Sequence, residues 1–334
     1  MRILLTGANG FFGSHILHQL LENTGHEIAA LTRPGRESSL PADKRVIPVT
    51  GDITDPSSLR NALKSCGAVV HAAAKVSTWA RDRSEFDRVN VDGALGLLRT
   101  AGEAGVEKII YVSSFLALGS SRGVPLDESG PHERDFHFND YERTKYRANL
   151  EVRELARQGL PVVTLYPVVM YGPGPLTAGN LVSNLVLDHL RGRLPARIGH
   201  GRQRWCFVHV EDVARGVKLA LELAAPGACY ILGGQNASLN EFFSALATAS
   251  GKPAPRLAMP FGLASMVGAG EEILATLTGR MPQLTRGVVD IFRRDWEFDS
   301  SLAARELGYT ARPLREGLEQ TVRWLRDTIL REGQ

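Results

Sequence analysis

Tyr141-Glu142-Arg143-Thr144-Lys145 sets a phenol and an ammonium four residues apart, the interval that brings two side chains onto one face of a helix. A nearby cation lowers the pKa of a phenol from near 10, so such a pair can move a proton to and from a bound oxygen. The spacing alone is weak, but two further groups give it a context. Ser113-Ser114 close the apolar run Lys108–Ser114, and a serine hydroxyl at a strand end can hold a substrate oxygen. Side chains alternate along a strand, so Ser114 rather than Ser113 is expected to face the pocket. Thr6-Gly7-Ala8-Asn9-Gly10-Phe11-Phe12-Gly13 follows the first apolar run and opens an amphipathic one. Gly7 lets the chain turn off a strand, Gly10 lets a pyrophosphate approach the backbone, and Gly13 lets the helix pack close to the sheet. Free N–H groups at the helix N-terminus would then hold the phosphates.

The elements that must position these groups follow from the patterning. Apolar runs at Ile3–Thr6, Glu27–Thr32, Val46–Asp52, Ala68–Ala73, Lys108–Ser114 and Val162–Pro167 read as strands; Phe12–Asn23, Asp55–Lys64, Glu85–Ala104 and Tyr141–Gln158 read as helices between them. This alternation predicts an α/β fold, a doubly wound parallel sheet of the Rossmann type that binds its ligand at the carboxyl ends of the strands. After Tyr171-Gly172-Pro173-Gly174-Pro175 the rhythm changes. Helices are expected at Leu176–Arg191 and Val210–Ala224, a strand at Cys229–Leu232, and a helix opened by the capping box Ser238–Glu241 and running through Ala249. Leu257–Gly270 reads as a core or lid helix stopped by Glu271-Glu272, with weak peripheral membrane contact as its alternative, and a last helix spans about Leu314 to Leu330. The expected organisation is a nucleotide-binding domain over residues 1–170, to which 205–235 return. A smaller, interleaved substrate-binding domain takes 171–204 and 236–312, and the terminal helix takes 313–334.

Further residues read as walls of a dinucleotide site. The second strand ends Ala30-Leu31-Thr32-Arg33-Pro34-Gly35-Arg36, without the acid that would hold the ribose hydroxyls of NAD. Arg33, helped by Arg36, can pair with a 2′-phosphate, which predicts a preference for NADP(H) with NAD(H) as the alternative. Asp52 and Ile53 fit the adenine end, and the small side chains of Ala72, Ala73 and Ala74 would let the dinucleotide lie against the fourth strand. Val112 belongs at the nicotinamide end, as do Tyr166, Pro167, Val168 and Val169.

Composition narrows the remaining possibilities. The 334 residues are 43% apolar and 22% charged, and 39 basic against 36 acidic side chains leave a net charge of +3, ordinary for a globular chain and without a nucleic-acid signature. Cys66, Cys206 and Cys229 form neither a disulfide framework nor a zinc motif, which suggests a reducing, cytoplasmic setting and no metal centre. Neither a signal peptide nor an integral membrane segment is expected.

Together, Thr-Gly-x-x-Gly-x-x-Gly, Asp52-Ile53, Ser114 and Tyr141-x-x-x-Lys145 resemble the extended short-chain dehydrogenase/reductases of the NAD-dependent epimerase/dehydratase superfamily, over nearly the whole chain. Ser113–Ser120, Tyr166–Gly174 and Phe207–Asp212 are most similar to the branch containing dihydroflavonol reductases, 3β-hydroxysteroid dehydrogenases and farnesol dehydrogenases. The resemblance implies that Tyr141 is the general acid/base and that Lys145 lowers its pKa and binds the nicotinamide ribose. Ser114 would orient the substrate oxygen for hydride transfer, and Asn90 would support the active-site helix, unless it is only a buried structural or helix-kinking residue.

The same triad serves nucleotide-sugar epimerases and dehydratases, where an Arg commonly stands four residues before the histidine of a segment such as Phe207-Val208-His209. Here Trp205 stands there, with Arg204 one position earlier. With Trp79, Phe115, Leu116, Phe136, Phe138, Met170 and Phe207, Trp205 suggests a pocket for a small hydrophobic substrate. The expected activity is therefore that of an alcohol dehydrogenase or carbonyl reductase. A nucleotide-sugar epimerase or dehydratase with tightly held NAD is the alternative; a non-catalytic sensor is disfavoured by the intact triad. His209 is expected to make a structural hydrogen bond near Asp212. His132 and His137 lack ligand spacing, and the pairs Arg191/Arg193 and Arg293/Arg294 read as solvated faces. The resemblance suggests a homodimer through the 85–104 and 141–158 helices, although a monomer is common in this branch.

Overall fold

Short Val- and Ile-rich runs bury both faces when they pair in parallel and helices cover them. The computed structural model describes residues 1–22, 24–130, 139–177 and 179–330. The strands are β1 (Arg2–Thr6), β2 (Glu27–Thr32), β3 (Val46–Thr50), β4 (Ala68–His71), β5 (Lys108–Val112), β6 (Val162–Pro167), β7 (Val169–Tyr171), β8 (Ala196–Ile198), β9 (Arg204–His209), β10 (Cys229–Leu232), β11 (Gln235–Ser238) and β12 (Leu257–Met259). The helices are α1 (Phe11–Leu21), α2 (Pro56–Ala62), α3 (Ser84–Asp87), α4 (Ala94–Glu103), α5 (Asp140–Arg157), α6 (Leu181–Leu190), α7 (Val210–Leu223), α8 (Leu239–Ser250), α9 (Phe261–Thr278), α10 (Arg286–Phe292), α11 (Ser301–Leu307) and α12 (Leu314–Trp324).

The main sheet runs β10-β6-β5-β4-β1-β2-β3 with all its pairs parallel. Strand order reverses between β1 and β4, where Thr6 pairs with His71, and the crevice at that switch point is where such a sheet binds ligand. One sheet face packs against α1 and α7, the other against α2, α4 and α5. A smaller sheet, β11-β9-β7, lies beyond the carboxyl edge, and β8 pairs with β12.

Several boundaries differ from the sequence reading, each for a local reason. The helix expected from Glu85 to Ala104 contains a π turn, Arg88–Gly93, between α3 and α4. The helix expected from Leu176 begins at Leu181, because Asn180 Oδ1 first accepts from the amide (3.0 Å) and hydroxyl (2.6 Å) of Thr177. Leu257–Gly270 is not one helix: Pro260 separates β12 from α9. Glu271 and Glu272 do not stop α9. They accept from the Gln283, Leu284 and Arg286 amides and tie its side to the start of α10. The C-terminal helix packs on α8 through Leu318 and Val322, and its last turns, Leu325–Leu330, are π-helical.

Arg312 fastens the segment before α12 to α7. Its guanidinium meets Asp212 at 2.9 and 3.0 Å and Glu211 at 3.0 Å, and its own amide donates to Asp212 at 2.9 Å. Asp212 is 1% exposed, so removing the cation strands a buried carboxylate that Arg215, at 3.3 Å, only partly offsets. Arg312→Met is expected to lower the unfolding free energy in urea by about 2–3 kcal/mol. Arg312→Met/Asp212→Asn should recover part of the loss.

Candidate active site

Helix α5 brings the phenol and the ammonium to the carboxyl edge of the sheet. Asn139 caps it, Oδ1 accepting from the Glu142 amide at 2.8 Å. Its inward face is polar: Glu142, Thr144, Lys145 and Asn149 are buried beside Ala148 and Val152. Such a face is tolerated when its polar groups are bonded. Asn149 accepts from the Tyr166 hydroxyl at 2.8 Å, and Lys145 Nζ donates to the Val112 carbonyl at 3.1 Å, 5.6 Å from the Tyr111 ring centroid. Asn90, carried on the π turn, accepts from the Lys75 amide (2.8 Å) and donates to the Lys75 carbonyl (3.1 Å) and Thr144 Oγ1 (3.1 Å). It thus joins the loop after β4 to the face of α5, so the expected support comes through direct bonds.

The half-buried Tyr141 phenol lies beside Ser114, and burial pushes its pKa up to about 12, against the smaller lowering effect of the Ser114 hydroxyl. Burial pushes Lys145 down to about 8. Ser113 lies beside the Tyr111 hydroxyl instead, as strand alternation requires. Ser114 Oγ also accepts from the Leu116 amide at 3.3 Å, which fixes the turn that follows β5.

Across the switch point, the glycine loop forms a cradle that only glycine fits. Gly7 has φ +78°, and a Cβ there would stand 2.9 Å from the Ala73 amide nitrogen; one on Gly13 would stand 1.9 Å from the Gly7 carbonyl oxygen. Gly10 stands at the N-cap of α1 and offers no side-chain cap, which leaves the first amides of the helix for a ligand, an arrangement that suits a pyrophosphate. Asn9 Nδ2 donates to the Arg36 carbonyl (2.8 Å) and Ser39 Oγ (2.7 Å), bracing the loop after β2, where Arg33 and Arg36 are exposed. Asp52 caps its own turn, Oδ1 accepting from the Thr54 amide and hydroxyl, both at 2.8 Å. Ala72, Ala73 and Ala74 are half-buried along the crevice.

Other expected wall residues turn elsewhere. Phe12 and Ile53 are buried in the apolar cores, leaving only their main chains for a ligand, and Phe11 packs edge-on against His15. Tyr166 points into the core toward Asn149 and Pro167 ends β6, while Val168 and Val169 are buried beyond it.

Sequence reasoning missed His71. It bonds Thr6 Oγ1 at 2.7 Å, stacks on Tyr111 (centroids 6.0 Å, 22°), and is kept neutral because burial and Lys145 push its pKa to about 3. Thr6 Oγ1 also accepts from the Ala73 amide at 3.1 Å, so the pair locks the ends of β1 and β4 together. A lone histidine in an apolar strand carries no pattern that would reveal this.

Of the residues expected to line a substrate pocket, half-buried Phe115 meets Trp296 and Phe298 edge-on at 5.3 and 5.7 Å, and Trp79 and Met170 are also half-buried. Leu116 is buried. Trp205 and Phe207 do not line a pocket: both lie in the core, Trp205 against Phe292 at 4.8 Å with its indole N–H on the Arg294 carbonyl, Phe207 stacked on Phe242 at 4.8 Å. Arg204 pairs with Glu297 at 2.6 Å and Glu241 at 3.4 Å. His209 makes no hydrogen bond to Asp212. Its buried ring sits edge-on to Tyr171 (5.7 Å), 3.7 Å from Glu211, with its pKa pushed to about 4 by burial and Arg312. Phe136, Phe138, His132 and His137 lie outside the described residues.

Comparison with known proteins agrees with this geometry. Residues 3–233 match the model of the NAD dependent epimerase/dehydratase family. The chain is 32% identical to a dihydroflavonol 4-reductase-like protein of Synechocystis sp., covering 97% of this chain and 94% of that one. It is 30% identical to sterol demethylase protein B of Methylococcus capsulatus, covering 98% and 99%. Among solved structures, DesIV, a dTDP-glucose 4,6-dehydratase from Streptomyces venezuelae with NAD bound, superposes with a TM-score of 0.77 at 28% identity, covering 98% of each chain.

The buried ammonium fixes a measurable sign. Unfolding restores the Lys145 pKa from about 8 toward 10.5, so between those values the unfolded chain holds the extra proton and stability rises with pH. Lys145→Met is expected to raise the unfolding free energy at pH 7 by about 1–3 kcal/mol, even though it removes a site residue. Denaturant titrations from pH 7 to about pH 10 should show that advantage shrinking as wild-type Lys145 loses its proton.

Proposed function

The chain belongs to the NAD dependent epimerase/dehydratase family, and from that premise we propose that it is an NAD(P)(H)-dependent oxidoreductase interconverting a hydrophobic alcohol and its aldehyde or ketone. The observation that carries the hydrophobic assignment is the engagement of Arg204. Where a phosphate-bearing substrate would call for a cation, this one is already matched by Glu297 and Glu241, beside the aromatic contact of Phe115 with Trp296 and Phe298. The sterol-related Methylococcus relative supports the same class of substrate.

A bound nicotinamide would supply or accept the hydride. Ser114 Oγ would hold the substrate oxygen, and Tyr141 would pass it a proton. At neutral pH a phenol with a pKa near 12 is protonated, which suits donation to a carbonyl oxygen in the reductive direction. Lys145, held at the Val112 carbonyl, places its charge near the ribose end of the crevice. The glycine loop with Asn9, Asp52 and Ala72–Ala74 would hold the remainder of the dinucleotide. NADP(H) is the preferred form in this reading, because exposed Arg33 and Arg36 follow β2 while the next acid, Glu37, accepts from Thr50 at 2.9 Å. A homodimer through α4 and α5, where Leu150 is exposed, and a cytoplasmic location complete the reading.

A nucleotide-sugar dehydratase is the second reading, favoured by the likeness to DesIV. The two separate on purification without added nucleotide. The proposal expects a protein free of NAD that binds NADPH about tenfold more tightly than NADH by fluorescence, with Arg33→Ala removing most of that difference. Tightly retained NAD⁺ would favour the dehydratase instead. On a panel of long-chain and ring carbonyls, Tyr141→Phe should cut turnover about a thousandfold while nucleotide binding persists; unchanged turnover would overturn the assignment of the acid.

A further inference from the structure

Helix α9 is built inside out. Its inner face carries Ala264, Gly268 and Ala275, and a Cβ on Gly268 would lie 2.9 Å from the Thr285 carbonyl carbon, so the helix sits close against the start of α10 through small residues. Its large apolar side chains point the other way. Leu263, Met266, Val267, Leu274 and Leu277 fall on one helical face, which Met281 continues beyond the C-terminus, and each is between 40% and 78% exposed. Burial of small residues and exposure of large ones is the reverse of a helix that serves only its own core, and a continuous apolar stripe of this kind marks an interaction surface.

Charge around the stripe selects the partner. Three acids stand on or beside α9, Glu271, Glu272 and Asp290, the last of them 3.7 Å from Arg293. Both glutamates are drawn inward, Glu271 to the Gln283 and Leu284 amides and Glu272 to the Arg286 amide and guanidinium. Exposed Arg256 and Arg280 remain at the two ends of the helix. A second copy docked antiparallel on this stripe would set cation against cation at both ends. An anionic lipid surface accepts the apolar side chains among its acyl tails and the guanidiniums among its headgroups.

We propose that α9 docks this protein on an anionic lipid bilayer, lying in the interface with Leu274 and Leu277 inserted and the arginines at its rim. No helix among the described residues is long and apolar enough to cross a membrane, so this is surface contact. The proposal is independent of the substrate assignment.

Co-sedimentation of the full chain with sucrose-loaded vesicles tests it. Vesicles of phosphatidylcholine with about one-third phosphatidylglycerol are expected to bind about tenfold more protein than phosphatidylcholine alone, and high salt should remove most of the difference. Leu274→Gln/Leu277→Gln should reduce binding to the background level while circular dichroism and the melting temperature stay unchanged. Arg256→Gln/Arg280→Gln should erase the anionic preference and provides a second route if the leucine variant misfolds. Equal binding to both vesicles, or undiminished binding by a folded leucine variant, would overturn the proposal. So would a concentration-dependent dimer dispersed by the leucine substitutions, which would assign the stripe to a second copy.

Discussion

Lys145 donates to the Val112 carbonyl at the carboxyl edge of the sheet, deep enough that burial drives its pKa down to about 8. An ammonium in that position is expensive, and much of the surrounding structure keeps it there. The residues on either side of it along α5 cannot be simply apolar, because the same face must deliver Tyr141 to Ser114 one turn earlier. The helix therefore enters the core on a polar face whose bonds are supplied from elsewhere: Asn90 to Thr144, Tyr166 to Asn149, and the β5 main chain to Lys145 itself. Ala148 and Val152 provide the apolar contact that remains. The π turn before α4 fits the same constraint, since Asn90 reaches both the loop after β4 and α5 from that turn.

The parts legible in the sequence were those written in local periods. Strand–helix alternation, the glycine loop and Tyr141-x-x-x-Lys145 each involve a few neighbouring residues, and the architecture follows from their order. The alternation rule separated Ser114 from Ser113 for the same reason. What stayed hidden depends on partners far apart in the chain. Trp205 has the composition of a pocket residue, and only the packing of β9 against Phe292 and Phe242 shows that its strand faces a core. Arg204 stands one position from the place where a phosphate-binding cation is expected, and nothing nearby in sequence announces Glu297, which neutralises it. His209 followed by two acids suggested a local hydrogen bond, but Arg312, from just before the last helix, had already claimed Asp212.

Helix α9 defeated the sequence reading differently. A run of Leu, Met, Val and Ile broken by glycine suggests burial, and hydrophobicity alone cannot say which side faces inward. The deciding residues were the small ones. Ala264, Gly268 and Ala275 allow α9 to approach α10 closely, so the tight contact takes the small face and leaves the large side chains outside. Pro260 completes the misdirection by ending β12 where a single continuous helix had been expected.

The distribution of apolar cores also constrains how the site can adapt. One core covers the β-sheet face under α1 and α7 and continues without interruption through Trp205, Phe207, Phe242 and Trp296 into the C-terminal elements. The other, under α2, α4 and α5, is separate and carries the helix of Tyr141 and Lys145. The phosphate cradle opens α1, so it shares a packed interior with the elements beyond the sheet edge, and close-packed interiors do not slide easily past one another. Movement of that body relative to the opposite side of the crevice therefore bears on contacts such as the Thr78–Thr285 bond at 2.8 Å, between the loop after β4 and the cap of α10, and the approach of Gly287 to Asn139, the cap of α5. Asn139 both caps α5 and touches α10, so movement of α10 would be felt by Tyr141, two residues on, before it reached the buried and better-anchored Lys145.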